Sequence, residues 1–129
     1  MSRFQISINV ADADAAVAFY EKLFGVTPVK HRPGYANFVV DDPPLKLIVI
    51  EKEGAPGTIN HLGIEVADTD TVSAESERLR ALNLPTKDDP MHTCCFATQE
   101  KVWTIDPDAV PWELYTVVDD AEHFGARAH

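Results

Sequence analysis

The only two cysteines of this 129-residue chain are adjacent, Cys94 and Cys95. A disulfide between sequence neighbours strains the geometry that S–S bonds prefer. In a reducing compartment the pair is therefore two free thiols side by side. Two thiolates in one place select soft, thiophilic partners such as arsenic(III), cadmium or copper(I). On a regular strand neighbouring side chains point to opposite faces, so joint chelation needs a bend or loop. Pro90-Met91-His92-Thr93, just before the pair, supplies such a stretch, and His92 to Cys95 is expected to be mobile. The plainer alternative is one small core cysteine beside an idle one.

A second group of residues has a different chemistry. Gln5, His61 and Glu113 each stand among alternating apolar residues. Imidazole, carboxylate oxygen and amide oxygen together suit a mononuclear divalent site for Fe(II), Mn(II), Co(II), Ni(II) or Zn(II). Three ligands leave open positions, as a two-His-one-carboxylate site does. The competing reading keeps His61 as a hydrogen-bonded strand histidine and Glu113 as a solvent-facing strand residue.

The elements that must position these residues are legible as a repeat. Phe4-Gln5-Ile6-Ser7-Ile8-Asn9-Val10-Ala11-Asp12 can be laid on Asn60-His61-Leu62-Gly63-Ile64-Glu65-Val66-Ala67-Asp68. Each is a period-two strand with an apolar face and a mixed polar face. Gln5, Ser7 and Asn9 share one side of the first, and His61, Gly63 and Glu65 share one side of the second. A helix is expected after each. Asp12 or Asp14 caps the first; Ala16, Tyr20, Leu23 and Phe24 form its stripe, and Gly25 stops it. Asp68 or Asp70 caps the second, which carries Val72, Glu75, Ser76 and Leu79 and ends before Pro85.

Three strand-like segments follow each helix. In the first half they are about Val26–His31, Tyr35–Val40 and Leu45–Glu51. In the second they are about Thr86–Met91, Cys94–Gln99 with Val102–Ile105, and Trp112–Val118. The order predicts an α+β fold of two tandem βαβββ modules. Residues 1–53 form the first module, 54–58 a linker, 59–118 the second module and 119–129 a C-terminal tail, all within one domain. Two such curved halves would make a cup lined by the polar sides of the strands. Gln5 and His61 occupy equivalent repeat positions, so pseudo-symmetry predicts that they face each other. Pro44-Leu45-Lys46-Leu47 matches Pro111-Trp112-Glu113-Leu114, which makes Lys46 the counterpart of Glu113.

Composition excludes several partners. Eleven Lys plus Arg against 21 Asp plus Glu give a net charge of −10, and no basic cluster offsets it, so nucleic acid is not expected. No apolar run approaches the roughly 20 residues of a membrane-spanning helix. Met1 to Val10 does not read as a signal peptide. The expectation is a cytoplasmic protein that needs no membrane.

Several stretches resemble the ArsI/CadI family: Arg32-Pro33-Gly34-Tyr35-Ala36-Asn37-Phe38, Pro43-Pro44-Leu45-Lys46-Leu47, Asn60-His61-Leu62-Gly63-Ile64-Glu65-Val66, Thr93-Cys94-Cys95-Phe96-Ala97, Lys101-Val102-Trp103 and Pro111-Trp112-Glu113-Leu114-Tyr115-Thr116. This is a branch of the vicinal-oxygen-chelate (glyoxalase/bleomycin-resistance/extradiol dioxygenase) superfamily. The resemblance implies the cup-shaped fold and a non-haem Fe(II)- and O2-dependent lyase that cleaves the C–As bond of trivalent organoarsenicals, such as methylarsenite and aromatic arsenicals. It implies metal ligands at Gln5, His61 and Glu113, with other divalent ions able to replace iron, and arsenic-binding thiols at Cys94 and Cys95. Many relatives carry His at the first ligand position, where this chain has Gln5, which leaves the metal's identity open. Phe38, Lys46, Trp103 and Tyr115 are candidate pocket residues, and a homodimer is one option for the assembly. Two other functions stay open: a CadI-like cadmium- or arsenic-binding protein without turnover, and another glyoxalase- or dioxygenase-type activity of the superfamily.

Overall fold

The computed structural model describes residues 2–94 and 97–120. In chain order the elements are β1 (Arg3–Val10), α1 (Ala13–Phe24), β2 (Lys30–Arg32), β3 (Tyr35–Val40), β4 (Leu45–Glu51), β5 (Ile59–Glu65), α2 (Thr69–Ala81), β6 (Lys87–Cys94), β7 (Ala97–Ile105) and β8 (Pro111–Asp120). The order strand–helix–strand–strand–strand thus occurs twice, and the fold is α+β. Among the described residues no helix is long and apolar enough to cross a membrane.

Both helices start where short-range chemistry dictates. Asp12 accepts from Ala15 N at 3.1 Å and Asp68 from Thr71 N at 2.8 Å, each satisfying an otherwise orphaned donor of the first turn. Gly25 closes α1 at φ 70°, a left-handed conformation that a Cβ would penalise. The Thr71 hydroxyl and amide both donate to Asp68 and hold its carboxyl below the usual carboxylate range.

The chain divides into two compact units, Arg3–Leu62 and the segment from Gly63 on. In the first the strand order is β2-β3-β4-β1, with the start of β5 beside β1. Strands β1 and β4 run parallel, in a register that sets Gln5 opposite Lys46. One face of this sheet packs on α1. Val17, Ala36, Phe38, Leu47 and Val49 are buried there, with Ile6, Ile8, Val10, Tyr20 and Phe24 around them. Leu23, expected in the buried stripe, is exposed; Ala13 and Val17 take the inward positions.

The opposite face carries Gln5, Ser7 and Asn9, only 1%, 2% and 4% exposed, together with buried Asn37 and Lys46. The polar side of β1 is thus more deeply covered than its apolar side. Burying polar groups is costly unless each finds a hydrogen-bond partner, so such a face is usually a site rather than a core.

In the second unit the end of β5 is followed by β8-β7-β6, and α2 covers one face through Val72 and Leu79 on Val66, Val102 and Leu114. Two boundaries differ from expectation. Strand β7 is continuous from Ala97 to Ile105, although Glu100-Lys101 reads as a break, because Lys101 is an inward residue, 5% exposed. Cys94 closes β6 by pairing with Ala97 and does not open β7. Strand β6 absorbs Pro90 at a register shift between Asp89 and His92, which is tolerated because β6 is the last strand of this run and a proline there need not donate to a further neighbour. Strand β8 continues to Asp120.

Strand β2 is shorter than expected and begins only at Lys30. Pro28 has no amide to give to a ladder, and the first bond to β3 is Val29 N to Asn37 O at 2.8 Å.

Candidate metal and thiol sites

Strands β1 and β5 bring Gln5 and His61 together from 56 residues apart. Gln5 Nε2 lies 3.3 Å from His61 Nε2. An amide nitrogen has hydrogens and no usable lone pair, so Gln5 donates and His61 Nε2 accepts. The other ring nitrogen, Nδ1, is 2.7 Å from Asn60 Oδ1 and donates to it. These two contacts place the ring proton of His61 on Nδ1 and a lone pair on Nε2. That is the form in which an imidazole ligates a metal.

The pair fits a cation. Two ligands each about 2.1 Å from one ion lie about 3.0 Å apart at a right angle and about 3.4 Å apart at a tetrahedral angle. The 3.3 Å between the Gln5 amide and His61 Nε2 falls in that interval. Rotating the amide by a half-turn places Oε1 where Nε2 stands. Among the described residues no three His, Cys, Asp or Glu side chains cluster so as to hold a metal ion.

Glu113 lies on β8, in the second unit. It sits opposite Trp103 of β7, two register pairs from Tyr115 opposite Lys101, so all four side chains share a face. Lys101 Nζ is 2.6 Å from Glu113 Oε1, with the two side chains 4% and 3% exposed. The ammonium also lies 5.4 Å from the Trp103 ring centroid and 5.7 Å from that of Tyr115. Trp103 Nε1 in turn donates to Asp89 Oδ2 at 3.2 Å. A carboxylate this dry must be neutralised, and Lys101 does so. Sequence reading missed Lys101. Its alternation with Gln99 and Trp103 along β7 was the available signal.

Of the candidate pocket residues, Lys46 is buried opposite Gln5 on the polar face. Trp103 and Tyr115 flank Lys101. Phe38 is fully buried on the other face, edge-on to Tyr20 with centroids 6.3 Å apart, and belongs to the core under α1. Cys94 is the last residue of β6, and Cys95 lies outside the described residues.

The family model described as Glyoxalase/Bleomycin resistance protein/Dioxygenase superfamily matches residues 3–114. The cadmium-induced protein CadI of Mycobacterium tuberculosis (strain ATCC 25618 / H37Rv) is 52% identical over 126 residues, covering 98% of this chain and 83% of that protein. A trivalent organoarsenical cleaving enzyme of Thermomonospora curvata is 46% identical over 123 residues, covering 95% of this chain and 82% of the enzyme. Among solved structures, the 2,3-dioxygenase LapB from Pseudomonas sp. KL28 matches with a TM-score of 0.70 at 21% identity. That match covers 98% of this chain and 45% of LapB, and it is a likeness of fold.

Proposed function

The chain belongs to the glyoxalase/bleomycin resistance protein/dioxygenase superfamily, in the branch of CadI and the trivalent organoarsenical cleaving enzymes, and on that premise we propose that it cleaves the C–As bond of trivalent organoarsenicals using Fe(II) and O2. The observation that carries the reading is the adjacent pair Cys94-Cys95 in a chain 46% identical to an enzyme named for that cleavage.

In this reading Gln5, His61 and Glu113 hold the metal and the two thiolates hold the arsenic. Bound Fe(II) supplies the redox chemistry toward dioxygen. The reaction balances without an added reductant: CH3As(OH)2 and O2 give As(OH)3 and CH2O. His61 contributes its Nε2 lone pair, unprotonated in the tautomer described above. Gln5 contributes its amide oxygen and Glu113 its negative charge, with Lys101 keeping the carboxylate ionised in a dry setting. Trp103, half-buried, presents apolar ring surface beside Glu113, suited to a methyl or aryl substituent. Cys94 and Cys95 displace the two oxygen ligands of As(III) and leave the As–C bond free to face the reacting oxygen. Holding both reactants in one geometry is the main gain in rate. The free thiols that this requires suit the reducing cytoplasm.

The 52% identity to CadI favours a second reading, in which the same thiols sequester cadmium or arsenic without turnover. One assay separates the two. Protein loaded anaerobically with Fe(II) receives methylarsenite, and arsenite and formaldehyde are measured with and without air. The proposal expects both products only in air; tight binding with no product in air establishes the sequestering reading.

A further inference from the structure

The orientation of His61 is set by a polar chain that begins at a backbone carbonyl. Thr58 Oγ1 lies 2.5 Å from Ala55 O, and since a carbonyl cannot donate, the single hydroxyl hydrogen of Thr58 is committed there. The group facing Thr58 Oγ1 must then be a donor. It is Asn9 Nδ2, at 3.0 Å. That turns Asn9 Oδ1 toward Asn60, which must donate, and Asn60 Nδ2 does so at 3.0 Å. Asn60 Oδ1 is left facing His61 Nδ1 at 2.7 Å, so Nδ1 carries the proton, while Nε2 accepts from Gln5 Nε2. Reversing any one amide would set two oxygens or two NH2 groups against each other further along.

We propose that Thr58, Asn9 and Asn60 are positioning residues that lock His61 in its Nδ1–H tautomer, with the Ala55 carbonyl setting the direction of the whole relay. Asn9 is 4% exposed, so water has little access to replace a lost partner. The segment Gly54–Thr58, which reads as a plain linker, thereby acquires a role in the site. Gly54 shares it, because a Cβ there would stand 2.5 Å from Asn9 Nδ2. The consequence for function rests on the reading of His61 as a metal ligand. A neutral imidazole in the other tautomer would present an N–H where the metal needs a lone pair, and loss of such outer partners typically lowers metal affinity by about 10–100-fold.

The test uses the metal-free protein labelled with 15N-histidine at mildly alkaline pH, where the two neutral tautomers have distinct nitrogen shifts. In the wild type, His61 should be the Nδ1–H form. Thr58→Val keeps the shape of the side chain and removes its hydroxyl, which frees Asn9 and Asn60 to turn over and should populate the Nε2–H form. Thr58→Ser should behave as wild type. Adding Asn60→Asp to Thr58→Val supplies a group that can only accept, and should restore the Nδ1–H form, which a merely structural defect would not do. If Thr58→Val does not fold, Gly54→Ala displaces Asn9 by crowding and gives the same reading. A wild-type Nε2–H form, or an unchanged tautomer in folded Thr58→Val, overturns the relay. Ni(II) titration is read separately. Affinity falling about tenfold or more in Thr58→Val and returning in the double variant supports the link to metal binding. An Nδ1–H tautomer in a protein whose His61 resonances ignore Ni(II) leaves the relay standing and overturns the ligand assignment.

Discussion

Removing Lys101 should strand a carboxylate in the interior, and the size of the effect follows from the geometry. Opposite charges 2.6 Å apart attract by about 6 kcal/mol at an effective dielectric of about 20. Much of that gain offsets the cost of drying both groups. The pair is therefore worth little against an apolar replacement of both partners, but a great deal against removal of one, about 3–5 kcal/mol. The lost contacts with the Trp103 and Tyr115 rings add about 1 kcal/mol. Against a typical domain stability of about 5–15 kcal/mol, Lys101→Met should leave a weakly stable protein. Urea unfolding of Lys101→Met, Glu113→Gln and the double variant closes the cycle. The double variant should recover most of the loss, because no charge is left buried. Saturating Ni(II) should raise the midpoint of Lys101→Met more than that of wild type, since a ligating Glu113 would gain a cation in place of the missing ammonium. A Lys101→Met protein within about 1 kcal/mol of wild type would refute the buried-pair argument. So would a double variant no more stable than Lys101→Met.

Three further outcomes are expected. Calorimetric titration under anaerobic conditions should show His61→Ala and Glu113→Ala losing tight divalent binding, Gln5→Ala losing less, and Gln5→His binding more tightly than wild type, because an imidazole is the better donor to a borderline metal. Asp88 accepts from Ser76 at 2.6 Å and from Arg80 at 2.8 Å, which hold its carboxyl below the usual carboxylate range. A carboxyl with a depressed folded pKa contributes stability above its unfolded value, and that contribution is lost as the pH falls through the folded one. The gap in urea midpoint between wild type and Asp88→Asn should therefore be full near about pH 7 and shrink toward about pH 3. Phe38→Ala should cost about 3–5 kcal/mol in the same assay, as expected for a fully buried core ring. Equilibrium binding to a methylarsenite column should be unchanged in the folded fraction.

What the sequence by itself determined was the local and the repeated. Asp12, Asp68 and Gly25 end their helices by bonds that span three or four residues, so the signal and its cause sit together in the chain. The alternation in β1 and β5, laid over itself, was enough to pair Gln5 with His61, because a duplicated unit carries its contacts with it. Tertiary structure decided the rest. Alternation tells which residues share a face but not which face is covered, and here the polar side of β1 is the buried one. Phe38 and Lys46 are both buried, on opposite faces, and only the placement of α1 distinguishes the apolar core face from the polar one. Lys101 reads as a break until Glu113 is seen against it. The tautomer of His61 descends from a carbonyl at Ala55, through Thr58 and Asn9, across sequence separations of 49 and 51 residues. No periodicity encodes such a path, because a hydrogen bond depends on where two atoms meet and the chain reveals that only once it has folded.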